Sequence, residues 1–231
     1  MRLGLIGKTI SHSLSPSIYK NLIGPSITYD LLDFKSAQDL PSLSDLAKKY
    51  DGLNITSPYK RHYFNEVIIT HESVATFGAV NTLSFHPEGV FATNTDYIAV
   101  DLLMEKYLKR DSNLTVVILG DGVMAQMTQL ICKKLGVEFS LLNRKTTPDL
   151  STFDFRVLAR SNKQLLIINA CSRDFILSGK FSGQELFWDY NYNFLPHQNT
   201  LPSLVKDYQD GQEMLLCQAQ AAVDFWRKKR G

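Results

Sequence analysis

The run LTVVILGDGVMAQMTQLICKKLG, residues 114–136, sets the architecture. It opens with apolar, partly β-branched residues that read as a strand covered on both faces. Gly120 breaks the run. Val123, Met127, Leu130, Ile131 and Leu135 then recur at helical spacing, and Gly136 closes the helix. The turn between strand and helix is Gly120-x-Gly122-x-x-Ala125. In that context the pattern marks a dinucleotide site. Gly120 permits the tight turn, Gly122 lets backbone approach a pyrophosphate, and Ala125 keeps the helix close to the strand. The first helical N–H groups and the helix dipole favour phosphate.

The next strand, EFSLLNRK at 138–145, ends in Asn143-Arg144-Lys145. That end carries no carboxylate for a ribose 2′-hydroxyl, whereas two cations could meet a 2′-phosphate, so the pattern favours NADP over NAD. The plainer reading is two exposed basic residues at a strand end. Asp121, inside the glycine turn, opposes phosphate unless its side chain points away.

Strands and helices alternate on either side of this unit. Before it come strands at 2–7, 27–34 and 51–56. Helices are expected at 15–24, with Ser15 capping, Pro16 in the first turn and Gly24 at the end, and at 39–50. Residues 65–77 read as helical. AVNTLSF and VFATNTD form a strand pair around His86-Pro87-Glu88-Gly89, and a helix over 96–109 leads to the polar break Lys109–Asn113. After it come strands at 164–171 and 185–192 and an amphipathic helix over 211–229.

The remaining composition excludes several classes of function. The chain has 231 residues, 44% hydrophobic and 21% charged, with a net charge of +2. Such a chain buries a core unaided and has no electrostatic case for nucleic acid or anionic membrane. The basic run Arg227–Arg230 reads as a solvated helix terminus. Cys132, Cys171 and Cys217 are odd in number and far apart, which fits small core residues in a reducing compartment. Neither they nor the five histidines have metal-ligand spacing, so no metal is expected. No apolar run nears the ~20 residues of a membrane span. The start MRLGLIGKTI reads as a first strand rather than a signal peptide, and a cytoplasmic protein is expected.

Polar residues cluster where strands end. In GLNITSPYK, 52–60, Leu53 and Ile55 point to one strand face and Asn54 and Thr56 to the other; Pro58 ends the pairing and Lys60 follows. Ser13 and Ser15 precede the first helix and could receive a carboxylate. Asn81 lies in GAVNTL, and Asn94-Thr95-Asp96 ends a strand. Singly, each reads equally as a turn or cap residue. Together they mark the carboxyl edge of an open α/β sheet, where ligands bind. Gln218 sits on the apolar stripe of the last helix with Met214, Ala221 or Ala222, and Phe225. A buried Gln needs a partner, either a ligand hydroxyl or a backbone group.

The order of these stretches resembles the shikimate dehydrogenase family: SHSLSPSIYKNL, GLNITSPYK, GAVNTL, NTD, GDGVMA followed by NRK, INACS, DYNY and GQEMLLCQAQAA. The resemblance spans nearly the whole chain. It implies an α/β fold of two domains, with the active site in the cleft between them. Residues 1–99 plus 207–231 would be a substrate-binding domain with a mostly parallel sheet, and 100–206 a reduced Rossmann NADP-binding domain. It implies that Ser13 and Ser15 hold a substrate carboxylate. Thr56, Asn81 and Gln218 would bond ring hydroxyls, with Asn54 in support. Lys60 and Asp96 would be the catalytic pair, and Tyr192 would lie near the carboxylate. Gly120, Gly122, Ala125, Asn143, Arg144 and Lys145 would serve NADP, with Met214 near the nicotinamide. The implied reaction is reversible reduction of 3-dehydroshikimate to shikimate by a monomer or homodimer. A quinate/shikimate dehydrogenase using NAD or NADP, and a non-catalytic shikimate binder, are the alternatives.

The chain departs from the family pattern at four places. Tyr97 follows NTD where Gly is usual, and would narrow that end of the cleft. Asp121 and Val123 occupy the glycine loop. Arg173-Asp174 follows INACS where small residues are usual. A helix is missing between NRK and INACS.

Overall fold

The computed structural model describes residues 1–160 and 162–228. The chain forms two units. One is Met1–Ile98 with the segment from Leu216 onward, and the other is Ala99–Leu215. The α/β class and the mostly parallel pairing are as the sequence implied.

The first unit contains β1 (Arg2–Gly7), α1 (Ser15–Ile23), β2 (Thr28–Asp33), α2 (Leu43–Ala47), β3 (Gly52–Ile55), β4 (Ile68–Ile69), α3 (Glu72–Phe77), β5 (Thr82–His86) and β6 (Gly89–Thr93). The strands lie in the order β2-β1-β3-β5-β6-β4. β1 is parallel to β2 and β3, and β4 to β6, but β5 runs antiparallel to both β3 and β6. Residues 65–77 are only partly helical. The β-branched run Val67-Ile68-Ile69-Thr70 favours extended backbone and supplies β4, leaving α3 to begin at Glu72. Ser15 is not a cap. It is the first helical residue of α1; Leu14 stands at the cap position, and the Ser13 hydroxyl oxygen accepts from the Ser15 N–H at 3.3 Å.

Two helices cross the division between the units: α4 (Thr95–Arg110) and α7 (Gln212–Arg227). The later part of α7 completes the core of the first unit, where Ala219, Ala222, Val223, Phe225 and Trp226 pack with Leu3, Leu5, Tyr19 and Tyr29. Gly52 makes room for this helix. A Cβ there would lie 2.4 Å from Trp226 Nε1, whose N–H donates to the Leu83 carbonyl at 2.8 Å. Of the basic run, Arg227 ends α7 and Lys228 follows, while 229 and 230 lie outside the described residues.

The second unit holds β7 (Leu114–Leu119), α5 (Val123–Lys134), β8 (Glu138–Leu142), β9 (Gln164–Asn169), β10 (Leu186–Asp189), α6 (Leu195–Gln198) and β11 (Asp207–Gln209). Its sheet is fully parallel, in the order β11-β10-β9-β7-β8. The buried face of α5 is Ala125, Met127, Thr128, Ile131 and Cys132; Val123, Leu130 and Leu135 are only half-buried. The helical stripe is therefore rotated from its expected position, because small Ala125 and Thr128 face the sheet.

Among the described residues no α-helix joins β8 to β9. Two 3-10 turns, Leu150–Thr152 and Phe155–Leu158, take its place. Leu150, Phe155, Phe175 and Leu177 cover that part of the core, with Phe155 stacked on Phe181 at 5.2 Å. The missing helix between NRK and INACS is as the sequence implied, and aromatic loop residues cover the sheet in its place. Of the three cysteines, only Cys132 is buried; Cys171 and Cys217 are half-buried. Among the described residues no helix is long and apolar enough to cross a membrane.

Candidate active site

The antiparallel β5 determines which polar residues meet in the first unit. Asn54 of β3 stands beside Thr82 of β5, which stands beside Thr93 of β6. Thr56 follows β3, and Asn94, Thr95 and Asp96 follow β6. Asn81 precedes β5, and because β5 is reversed its entry lies at the same edge as those two exits. The expectation that every cluster follows a strand fails at Asn81, yet the residue reaches the same edge.

These side chains form one network. The Tyr29 hydroxyl donates to Asn54 Oδ1 at 2.8 Å, and Asn54 Nδ2 donates to Thr82 Oγ1 at 3.1 Å. Asn81 Oδ1 accepts from the Thr95 N–H at 2.7 Å, from Thr95 Oγ1 at 3.1 Å and from Thr82 Oγ1 at 3.0 Å. Thr95 Oγ1 also lies 3.2 Å from Gln218 Oε1. Asn54 is thus a supporting group with its carbonyl and amide engaged. Asn81 has its oxygen committed inward, which fixes its orientation.

Lys60 Nζ donates to Asp96 Oδ2 at 2.6 Å, with both side chains 13% exposed. The Lys60 carbonyl accepts from the Val80 N–H at 2.8 Å, so its backbone is held by the chain leading into Asn81. Asn94 is fully buried; its amide donates to the Ala79 carbonyl at 3.0 Å, and its Oδ1 accepts from the Tyr97 N–H at 3.2 Å, opening α4. Ser13 and Ser15 are half-buried with their hydroxyls 3.2 Å apart. Tyr97 does not line this group. Its ring is 2% exposed and packs on Phe77 and His71, in the core of the first unit.

In the second unit, Gly120 has φ +113°, and a Cβ there would stand 3.2 Å from the Ala170 carbonyl. Only glycine suits that backbone. Its N–H donates to Leu142 O at 2.8 Å, which ties the turn to the end of β8, where Arg144 and Lys145 follow. Gly122 opens α5 with free space about its Cα, and Ala125 is fully buried. Backbone donors at a helix start beside two cations fit a dinucleotide with an extra phosphate. Asn143 Oδ1 accepts from the N–H of Lys145 at 2.9 Å and of Thr146 at 3.2 Å, so it shapes that turn. Lys145 pairs with Asp121 at 2.9 Å and holds its carboxyl below the usual range, with Arg144 adding to the effect.

Tyr192 is half-buried, and burial raises its phenol pKa. Arg173 accounts for its own unusual presence: its guanidinium donates to the carbonyls of Tyr192 at 2.7 Å and Asn193 at 3.0 Å and lies over the Phe194 ring. Met214 is 8% exposed near the start of α7. Asp189 of the DYNY stretch is buried. It accepts from Asn169 at 2.9 Å and from His197 Nδ1 at 2.5 Å, while His197 Nε2 accepts from the Leu177 N–H. INACS and DYNY are thereby joined at the end of this sheet.

Four residues at or beside the first unit's network received no role from the sequence: Tyr19, Tyr29, Thr82 and Thr95. Thr95 lies within the NTD stretch, next to the singled-out Asp96. Tyr19 and Tyr29 read as core aromatics, and no spacing signal separates them from other core residues.

A family model described as "Shikimate dehydrogenase substrate binding domain" matches residues 5–83, which lie in the first unit. The chain is 25% identical to a shikimate dehydrogenase (NADP(+)) of Clostridium botulinum, over 96% of this chain and 95% of that protein. It is 28% identical to one of Pelagibacter ubique, over 97% and 92%. The crystal structure of shikimate dehydrogenase from Aquifex aeolicus matches with a TM-score of 0.76 over 98% of this chain and 92% of that one; at 20% identity it speaks to the fold. The chain thus aligns over nearly its whole length with proteins described as shikimate dehydrogenases, and residues 5–83 are similar to the substrate-binding domain of that family.

Proposed function

We propose that this protein is an NADP-dependent shikimate dehydrogenase, reducing 3-dehydroshikimate reversibly to shikimate in the pathway to chorismate and the aromatic amino acids. The observation that carries the reading is the 2.6 Å Lys60–Asp96 pair at the sheet edge that also bears Thr56 and Asn81. The relatives named above are described as NADP(+) enzymes. The near-neutral charge of +2 agrees with a small-molecule substrate and no nucleic acid. A cytoplasmic monomer or homodimer completes the proposal.

The nicotinamide supplies the hydride when bound. Lys60 Nζ gives a proton to the developing alkoxide at the reacting oxygen and takes it back in the reverse direction. Asp96 holds the ammonium in place and shares the proton relay. Ser13 and Ser15 receive the substrate carboxylate, with Tyr192 as a further contact. Thr56, Asn81 and Gln218 bond the ring hydroxyls, and Asn54 supports Asn81 and Thr82. Gly120 and Gly122 admit the pyrophosphate, Arg144 and Lys145 meet the 2′-phosphate, Asn143 shapes their turn, and Met214 serves the nicotinamide.

The test is formation of reduced nicotinamide from shikimate and NADP, repeated with NAD and with quinate. Signal with shikimate and NADP supports the reading. Signal with quinate or NAD instead would make the protein a quinate/shikimate dehydrogenase. The Asp121–Lys145 pair favours one further reading, a shikimate binder without catalysis, because it engages a cation meant for phosphate. Shikimate binding without NADPH binding would support that alternative.

A further inference from the structure

We propose that Tyr19 is a substrate-positioning residue, donating its phenolic hydrogen to an oxygen of the bound polyhydroxylated cyclic acid. The inference rests on the shikimate reading above. Tyr19 is 1% exposed, yet its hydroxyl has no hydrogen-bond partner among the described residues. A buried hydroxyl left unpaired destabilises a fold, and such groups are rare. For the core alone, Phe would serve as well as Tyr.

The surroundings identify what the hydroxyl faces. The ring is clamped between Tyr29, stacked at 4.8 Å and 15°, and Trp226, at 5.2 Å. Its hydroxyl feels the Asn54 and Gln218 side chains and the charge of Asp96 without completing a bond to either amide. Asn54 Oδ1 already accepts from Tyr29, and Gln218 Oε1 lies 3.2 Å from Thr95 Oγ1. The ring is therefore fixed by packing, and the hydroxyl points into the group assigned to the substrate. Burial also pushes the phenol well above its usual range, with Asp96 adding to the shift, so it stays a proton donor at any working pH.

The test is Tyr19→Phe, which keeps the ring. Calorimetry with shikimate should show Kd raised about tenfold, the size of one hydrogen bond. KM should rise likewise with kcat within about twofold, the pattern of lost uniform binding. The thermal midpoint of the protein alone should equal or exceed that of the parent, since an orphan group has been removed. A Kd within about twofold of the parent, or a lowered midpoint of the protein alone, would overturn the proposal, because either makes the hydroxyl structural. If the parent protein itself fails to bind shikimate, the shikimate reading falls, and the role of Tyr19 falls with it.

Discussion

Lys60→Met tests the chemistry most directly. It keeps an unbranched apolar stem out to Cε and the carbonyl bond to Val80, and removes the ammonium that lies 2.6 Å from Asp96. Loss of a positioned acid–base group lowers kcat by about 10²–10⁴, or roughly 3–5 kcal/mol of barrier at about 1.4 kcal/mol per decade. The fold should survive. Both side chains are 13% exposed, so the cost of stranding Asp96 falls between the ~0–1 kcal/mol of a surface pair and the ~3–5 kcal/mol of a fully buried one. At roughly 2–4 °C per kcal/mol for a chain of this size, a cost of about 1–3 kcal/mol lowers Tm by about 2–12 °C. The assay pairs thermal unfolding with steady-state oxidation of shikimate. The double variant Lys60→Met/Asp96→Asn separates the two effects: it relieves the stranded charge, so Tm recovers while kcat does not. Activity of Lys60→Met within tenfold of the parent, or activity that returns together with Tm in the double variant, would show that the pair is structural.

Gly52→Ala should cost about 2–4 kcal/mol, combining overpacking against Trp226 with loss of its bond to Leu83; a Tm within about 2 °C of the parent would refute the close approach. Asp121→Asn should lower the Kd for NADP by about threefold or more at low salt and less at high salt, since it frees Lys145 and removes a charge facing phosphate. Isothermal titration would show this, and an unchanged or raised Kd would count against the phosphate assignment. Alkaline pH should also destabilise the fold. Burial holds Tyr63 up to about 12, and Tyr29, Tyr107 and Tyr190 well above the usual range. The unfolded chain then loses phenolic protons first, near pH 10, so stability is full below about 10 and falls as pH rises past it. A urea midpoint that holds steady from about pH 9 to 11 would contradict this.

Most strands were legible because their apolar runs are punctuated by Gly, Pro or Asn, as in RLGLIG, GLNIT and LTVVILG. The exceptions have physical causes. β4 was missed because four β-branched residues lie inside a segment whose ends look helical. β11 was missed because Asp207-Tyr208-Gln209 has only one apolar residue, and its pairing to β10 comes from the tertiary fold. The buried face of α5 was misjudged because large apolar residues were counted and the small Ala125 and Thr128 were not. The polar network of the first unit could be assembled only in part. Sequence spacing shows Asn54, Asn81 and Asp96 as separate turn residues, and it is the reversal of β5 that brings them to one edge. Nothing in the spacing reveals that the Tyr19 hydroxyl has no partner among the described residues, because that depends on three-dimensional neighbours.

The return of α7 to the first sheet has a consequence for how the protein is made. Leu3, Tyr19 and Tyr29 leave the ribosome early, but Ala219, Ala222, Phe225 and Trp226, which close their core, are translated after the whole second unit. At typical elongation rates of ~5–20 residues per second, the nascent first sheet waits on the order of ten seconds or more with that face uncovered. Such an interval invites aggregation and the attention of chaperones, whereas the second unit has all its strands from one continuous stretch. The last helix is then both the final piece of the core and, through Gln218, the last polar side chain to join the network around Thr95.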